Sequence, residues 1–195
     1  VFMTRTRLSV AERCHTLIDV ASPLFASSSY SEVSTQDIAQ AAGVSVGLIF
    51  HHFGSKAGLY AAVVAQREEE LTAAVAEAVE GLPPNTSTRD KVRAAAEVYL
   101  DHVAAHPLAW AAVVRGDTPQ EVQFVRIEGR DKGVDKLRAL VGADDERAAV
   151  AVSGFFGFVE VVCLDWADAG CPEDARRLII DAALGALEGA LGDWG

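Results

Sequence analysis

Between Arg7 and Ala26 the apolar residues Leu8, Cys14, Leu17, Ile18, Ala21, Leu24 and Phe25 recur at three- and four-residue spacings, the period of one buried helical face. Pro23 falls inside that face and predicts a bend or a loosened last turn. Ser27 to Ser31 is polar and turn-like. Ser34, with Asp37 three places on, predicts a capped helix of about two turns to Ala42. Gly43 suits the left-handed residue that closes it. Ser45 caps a second short helix to about Phe53, and Ser55 a long one from Lys56 to about Glu80. The stretch Gly81-Leu82-Pro83-Pro84-Asn85 is the clearest break.

Ser87 with Asp90 opens a further helix, which Pro107 ends or interrupts, and another is expected over Leu108–Arg115. Thr118-Pro119-Gln120-Glu121 combines a cap residue, a first-position proline and an acid, predicting a helix to about Val141 that Gly129 and Gly133 soften. Asp144 or Asp145 caps the next, which ends near Gly170, and Pro172 opens the last, to about Leu191. The expected fold is all-α, with about nine helices and no convincing strand.

Half of the 195 residues are hydrophobic, enough for a packed core in one large domain or in a small one plus a medium one. No wholly apolar run reaches the roughly 18 residues of a membrane span, and Val1 to Ser9 lacks a stretch of signal-peptide length. No membrane association and a cytoplasmic location are therefore expected. Cys14, Cys163 and Cys171 are few and odd in number, which suits free thiols rather than a disulfide framework.

Net charge changes the picture more. The total is −11, yet residues 1–56 balance Arg5, Arg7, Arg13 and Lys56 against Glu12, Asp19, Glu32 and Asp37. The whole excess of acid lies in residues 57–195. Only the N-terminal segment can approach phosphate without repulsion, and its three arginines precede residue 14, where an arm or first helix could reach a DNA backbone.

That segment holds two short helices about a glycine turn, the arrangement of a helix-turn-helix, in which the second helix enters the major groove. Ile38, Ala42, Val44, Ile49 and Phe53 fit the small core that sets the angle between the helices. The remaining face is available for DNA. Thr35 can offer its hydroxyl and the N–H groups of a helix start to phosphate. Ser45, Val46 and Gly47 stand at the tip of the second helix, where Val46 could touch a thymine methyl and Gly47 permits close approach. Phe50 and His51 follow on the groove side, with His51 as a phosphate donor, and Lys56 begins the next helix as a phosphate contact.

The residues from Thr35 through Asp37-Ile38-Ala39, Ala42-Gly43-Val44-Ser45, Gly47 and Ile49-Phe50-His51-His52-Phe53 to Ser55-Lys56 and Leu59 resemble the signature of the TetR family of bacterial transcriptional regulators. Leu24-Phe25-Ala26 and Tyr30 resemble that family's first helix and turn. The resemblance covers about residues 10–65 and implies two domains, a helix-turn-helix domain over 1–56 and a ligand-binding and dimerisation domain over 57–195. Phe50 departs from the family's usual tyrosine, whose hydroxyl often bonds a phosphate, a loss of about 1 kcal/mol. Ser29 replaces a usual glycine, Pro23 is unusual in the first helix, and Ala57 and Gly58 stand where glutamates commonly follow the lysine.

From Ala148 to Trp166 the predicted helix is apolar around its circumference, so one side is expected to meet another chain. The resemblance implies a homodimer through the last two helices, two heads on a palindromic double-stranded operator, and a cavity for a small effector. Trp110, Phe124, Phe155, Phe156, Phe158 and Trp166 are the candidate lining residues, with Arg126, Arg130 and Glu160 as polar anchors, which suits an apolar effector, aromatic or acyl. His102 and His106 have the spacing of a zinc-binding pair, but Val103 stands where the catalytic glutamate would be and Pro107 puts both in a final helical turn. No metal, cofactor or catalytic constellation is expected, and hence no enzyme. The expected function is a ligand-responsive regulator, a repressor in its simplest form; the alternative is a helical small-molecule binding protein with weak or lost DNA binding.

Overall fold

The computed structural model of the chain describes residues 9–142 and 145–192. Among them run α1 (Val10–Ser27), α2 (Thr35–Ala42), α3 (Val46–Phe53), α4 (Lys56–Glu80), α5 (Thr88–Ala105), α6 (Pro107–Arg115), α7 (Gln120–Val141), α8 (Glu146–Asp168) and α9 (Glu173–Leu191). No strand occurs among the described residues. Arg5, Arg7, Leu8 and Asp144 lie outside them.

Serine and aspartate caps fix most helix starts. Ser34, Ser45, Ser55 and Ser87 each accept a backbone N–H from three residues on, and Asp145 does the same for α8. Ser9 and Glu12 form a full capping box at α1, a signal that the apolar pattern alone passes over. One local expectation needs correcting. α7 starts at Gln120 with no side-chain cap, because the Thr118 hydroxyl is taken by the Gln123 amide at 2.6 Å. Pro23 lies inside α1. The helix continues to Ser27, whose hydroxyl donates to the Pro23 carbonyl at 2.9 Å. Arg67 of α4 donates to the Ser22 carbonyl and hydroxyl at 3.1 and 3.0 Å and braces the same turn.

Two cores result. The first joins Leu17, Ala21 and Phe25 of α1 to Ile38 and Ala39 of α2, Ile49 of α3 and Leu59, Tyr60, Val63 and Val64 of α4. Leu17, Phe25, Ile38, Ile49 and Leu59 are fully buried, each contributing about 1.5–3 kcal/mol. Phe25 stacks on Tyr60 at 4.4 Å between centroids, and Tyr30 on Tyr60 at 5.6 Å. Val113 of α6 and Val122 of α7 also belong to this core. The boundary placed after Lys56 is thus crossed by packing: α4 is the last helix of the head and the first of the body. The second core is built from α5, α7, α8 and α9 around Leu100, Val103, Val152, Cys163, Leu184 and Leu187.

All three cysteines are free; Cys163 is buried, whereas Cys14 and Cys171 are half-buried. Burial pushes the Cys163 thiol up to about 12. By length and composition α8 is long and apolar enough to cross a membrane, with a mean hydropathy of 1.8 over its most apolar window, although Glu160 interrupts its apolar run. Its apolar residues divide between the second core and an open face, where Val150 and Val161 are 74% and 61% exposed. Leu178 of α9 is 71% exposed, and Ala182, Gly185 and Gly189 are exposed on the same helix. A Cβ added at Gly154, Gly157, Gly185 or Gly189 would meet nothing within 4 Å.

Candidate nucleic-acid interface

The turn between α2 and α3 needs its glycine. Gly43 sits at φ +64°, the left-handed conformation that residues with a Cβ rarely adopt, and its N–H closes α2 onto the Ala39 and Gln40 carbonyls. Ile38 and Ile49, both wholly buried, then hold α3 against α2. Positions 46, 47, 50 and 51 fall within one side of α3 by helical spacing.

Thr35 is the first residue of α2, half-buried, with its hydroxyl 3.3 Å from the Gln36 side-chain oxygen. Ser45 is exposed and its hydroxyl accepts the Leu48 N–H at 3.3 Å, so its first duty is the cap. Val46 is half-buried against the first core. Gly47 is exposed, and a Cβ there would meet only the Ser45 hydroxyl at 3.9 Å, so nothing inside the protein requires glycine. Phe50 is 44% exposed, a large apolar ring on an open helix face. His51 is exposed and lies edge-on to His52 at 5.2 Å. His52 is half-buried, with a buried Nε2 that has no hydrogen-bond partner.

Lys56 is placed differently from the sequence expectation. Its Nζ donates to the Tyr30 and Val33 carbonyls at 2.7 and 2.9 Å and lies 4.0 Å from the centroid of the Tyr30 ring. Two of its three donors thus close the α1–α2 loop instead of facing outward. Sequence could not disclose this, because loop carbonyls leave no pattern. Gly58 is a second hidden device. A Cβ there would lie 2.1 Å from the Phe53 carbonyl oxygen, so α3 and α4 meet only because position 58 has no side chain.

The body places the ligand candidates apart. Trp110 is half-buried and lines a cavity of ≈ 40 Å³ between α4, α5 and α6, with Tyr60, Val64, Arg67, Glu68, His102, His106, Ala109 and Val113. None of the other five candidates lines it. Phe124 is 60% exposed on α7. Phe155, Phe156 and Phe158 pack on the second core, Phe156 so closely over Gly133 that a Cβ there would be 3.0 Å away. Trp166 is buried and donates from Nε1 to the Pro172 carbonyl at 2.9 Å, tying the α8–α9 turn. Periodicity reports which aromatics turn inward, not which of them border a void.

Arg126, Arg130 and Glu160 do converge. Glu160 takes Arg126 at 2.9 Å and Arg130 at 3.5 Å, and the Arg126 Nε is buried without a partner. Burial raises the Glu68 carboxyl above the ordinary range; Arg126 opposes that shift and Glu160 adds to it. Burial also raises the Tyr99 phenol, with smaller additions from Cys163 and Glu160. No group of three or more histidine, cysteine or acidic side chains is placed to hold a metal among the described residues.

A two-helix reader with an open α3 face, mounted on a helical body, is the architecture of a DNA-binding regulator. Residues 17–63 match the family described as "Bacterial regulatory proteins, tetR family". Over those residues the chain is similar to the N-terminal part of that family. The HTH-type transcriptional activator FasR of Mycolicibacterium smegmatis is 32% identical over 117 residues, 60% of this chain and 52% of that protein. The match thus spans about half the length of that curated relative. A tetR-family transcriptional regulator from Streptomyces coelicolor superposes with a TM-score of 0.73 at 23% identity, over 94% of this chain and 80% of that one. The fatty acid degradation regulator FadR from Bacillus halodurans gives 0.70 at 20% identity, over 92% and 96%. These two likenesses establish the fold.

Proposed function

We propose that the chain is a ligand-responsive transcriptional regulator that binds a palindromic operator as a homodimer. The observation that carries this reading is the head: a capped α2, a left-handed Gly43 and an α3 whose Ser45, Gly47, Phe50 and His51 are exposed within a TetR-family domain. Thr35 and His51 serve as phosphate contacts and Ser45 to Gly47 as base readers. Lys56 shapes the surface and offers phosphate at most its third N–H.

The uncovered face of α8 and α9 supports dimerisation. Its glycines leave room for a partner's backbone, and its valines and leucine would otherwise stay in water. An effector bound in the body favours one spacing of the two heads, which links its binding to DNA release. An acyl or other apolar-tailed effector is consistent with the likeness to FadR, a fatty acid degradation regulator. Repression by covering a promoter is the simplest output of such a head. FasR is named an activator, and run-off transcription with and without the protein decides the sign.

A titration against the DNA flanking its own gene, across salt, tests the reading. A specific complex at low salt is expected, and its absence would overturn the proposal. Phe50→Tyr is expected to tighten every sequence alike, by about fivefold for one restored phosphate bond. Two observations favour a second reading, a small-molecule binding protein with weak DNA affinity: Phe50 lacks a hydroxyl, and Lys56 is spent on carbonyls. The same titration separates the two.

A further inference from the structure

Two residues near the tip of α3 have no evident duty inside the protein. Gly47 is the second residue of the helix, where glycine weakens it, yet a Cβ there would meet only the Ser45 hydroxyl at 3.9 Å. Phe50, three places on, is 44% exposed and belongs to neither core. By helical period Phe50 falls between Val46 and Gly47, so the ring, the half-buried Val46 and the bare backbone at 47 form one strip of α3. No side chain in that strip donates or accepts a hydrogen bond. The polar groups stand on its flanks. Ser45 is engaged as the cap by the Leu48 N–H at 3.3 Å, and His51 lies edge-on to His52 at 5.2 Å. Lys56, which follows α3, is bonded to the Tyr30 and Val33 carbonyls at 2.7 and 2.9 Å. The strip therefore offers a major groove an uncharged apolar surface with an opening at position 47. The apolar group that projects into that groove is the 5-methyl of a pyrimidine, carried by thymine.

We propose that Phe50 is the specificity-determining residue of the head, that it reads a pyrimidine 5-methyl group with Val46 as the second wall and Gly47 as the opening that admits it, and that 5-methylcytosine therefore substitutes for thymine at that position. The two bases differ at carbon 4, where thymine has an acceptor oxygen and cytosine a donor amine. The strip has no polar side chain to tell them apart. The inference rests on the DNA-binding reading above and deepens it, from which residues meet the bases to which group on the base is met. In a twofold complex the contact is made in each half-site. A methyl taken out of water strengthens binding about fourfold. No charge takes part, so that factor does not depend on salt, unlike the phosphate contacts.

The test uses the full chain and the duplex it selects from a pool of random sequences, with thymines replaced one at a time by deoxyuridine. That exchange keeps the base pair and removes only the methyl. At one thymine in each half-site it is expected to weaken binding about fourfold, and about fifteenfold when both are exchanged. At the same position a 5-methylcytosine–guanine pair is expected to bind about fourfold more tightly than cytosine–guanine. The ratio of thymine to deoxyuridine affinity should hold constant as salt rises, while both affinities fall. Phe50→Ala is expected to bring that ratio to about one without lowering the thermal midpoint, and Phe50→Tyr, which keeps the ring, to preserve it. If Phe50→Ala fails to fold, Phe50→Tyr and the base exchanges on the unaltered protein still decide. Gly47→Ala should be at least as stable and bind the selected duplex about fivefold or more weakly; unchanged affinity there rejects the opening. A ratio that survives Phe50→Ala rejects Phe50 as the reader. A specific complex indifferent to deoxyuridine at every position overturns this inference alone, whereas absence of any specific complex overturns it together with the DNA-binding reading.

Discussion

Lys56→Met separates two roles that a lysine beside a DNA-reading helix can play. Methionine keeps the unbranched stem and removes the ammonium, so the two loop carbonyls and the Tyr30 ring lose their cation. A hydrogen bond from a charged donor contributes about 1.5–3 kcal/mol, and a cation over an aromatic face about 0.5–1 kcal/mol at a partly exposed site. The Tyr30 and Val33 carbonyls belong to a surface loop, where water replaces part of what is lost. A net destabilisation of about 2–3 kcal/mol follows, read as a lower urea midpoint with an unchanged m-value. A direct phosphate contact would instead contribute about 0.9 to the slope of log K against log salt. The structure predicts that Lys56→Met leaves this slope within about 0.3 of the original, while stability falls and DNA affinity drops only through loosening of the head. Unchanged stability together with a slope reduced by about one would refute the structural role and return Lys56 to the phosphate backbone.

Gly58→Ala pits a helix-propensity gain of up to about 1 kcal/mol against a Cβ 2.1 Å from the Phe53 carbonyl oxygen. The clash is expected to win, costing about 1–3 kcal/mol, and a midpoint at or above the original would contradict the close α3–α4 junction. His102 is held below its ordinary 6.5 by burial first, then by Arg67 and His106, with Glu70 opposing; His106 is lowered by burial and Arg67. Both fold best neutral, so stability is full above 6.5 and is lost as pH falls from there through their folded-state values. Thermal midpoints from pH 8 to 5.5 should fall less in His102→Gln, and an identical fall would discard that assignment. Val161→Asp places a charge in the centre of the open α8–α9 face and is expected to yield a folded monomer by sedimentation. A dimer surviving at micromolar concentration would move the interface elsewhere.

Helix starts were legible where a serine stands before its helix, as at Ser45, and most clearly where an acid follows three places on, as at Ser34 and Ser87. Those signals are local, and the structure keeps them. Thr118 fails the same test because Gln123, five residues on, reaches its hydroxyl first. Around Pro23 the last turns of α1 are held by Ser27 nearby and by Arg67, 45 residues from Ser22, and only the first of these is visible locally. At the candidate interface, the exposed positions Ser45, Gly47, Phe50 and His51 follow from helical period once Ile38 and Ile49 are assigned inward. Lys56 does not, since its partners are backbone carbonyls. In the body, period sorted aromatics into inward and outward but could not tell core from cavity wall, and Phe124 shows that it sometimes failed even at the former. The titratable lining of Arg67 and Glu68 from α4, His102 from α5 and His106 from the junction after it comes from stretches far apart in sequence, so no single one carries its signature.

Val113 and Val122 sit in the core of the head although they belong to α6 and α7. For anyone building chimaeric sensors, the useful joint is therefore not the end of the DNA-binding motif. A head cut after Lys56 would leave behind Leu59, Tyr60, Val63 and Val64, which form much of its floor. A head transplanted with α4 would still need two apolar residues from its new host, at the end of one helix and the start of the next. Compatibility between a borrowed head and a foreign body becomes a question about two side chains, and it can be screened before any gene is made.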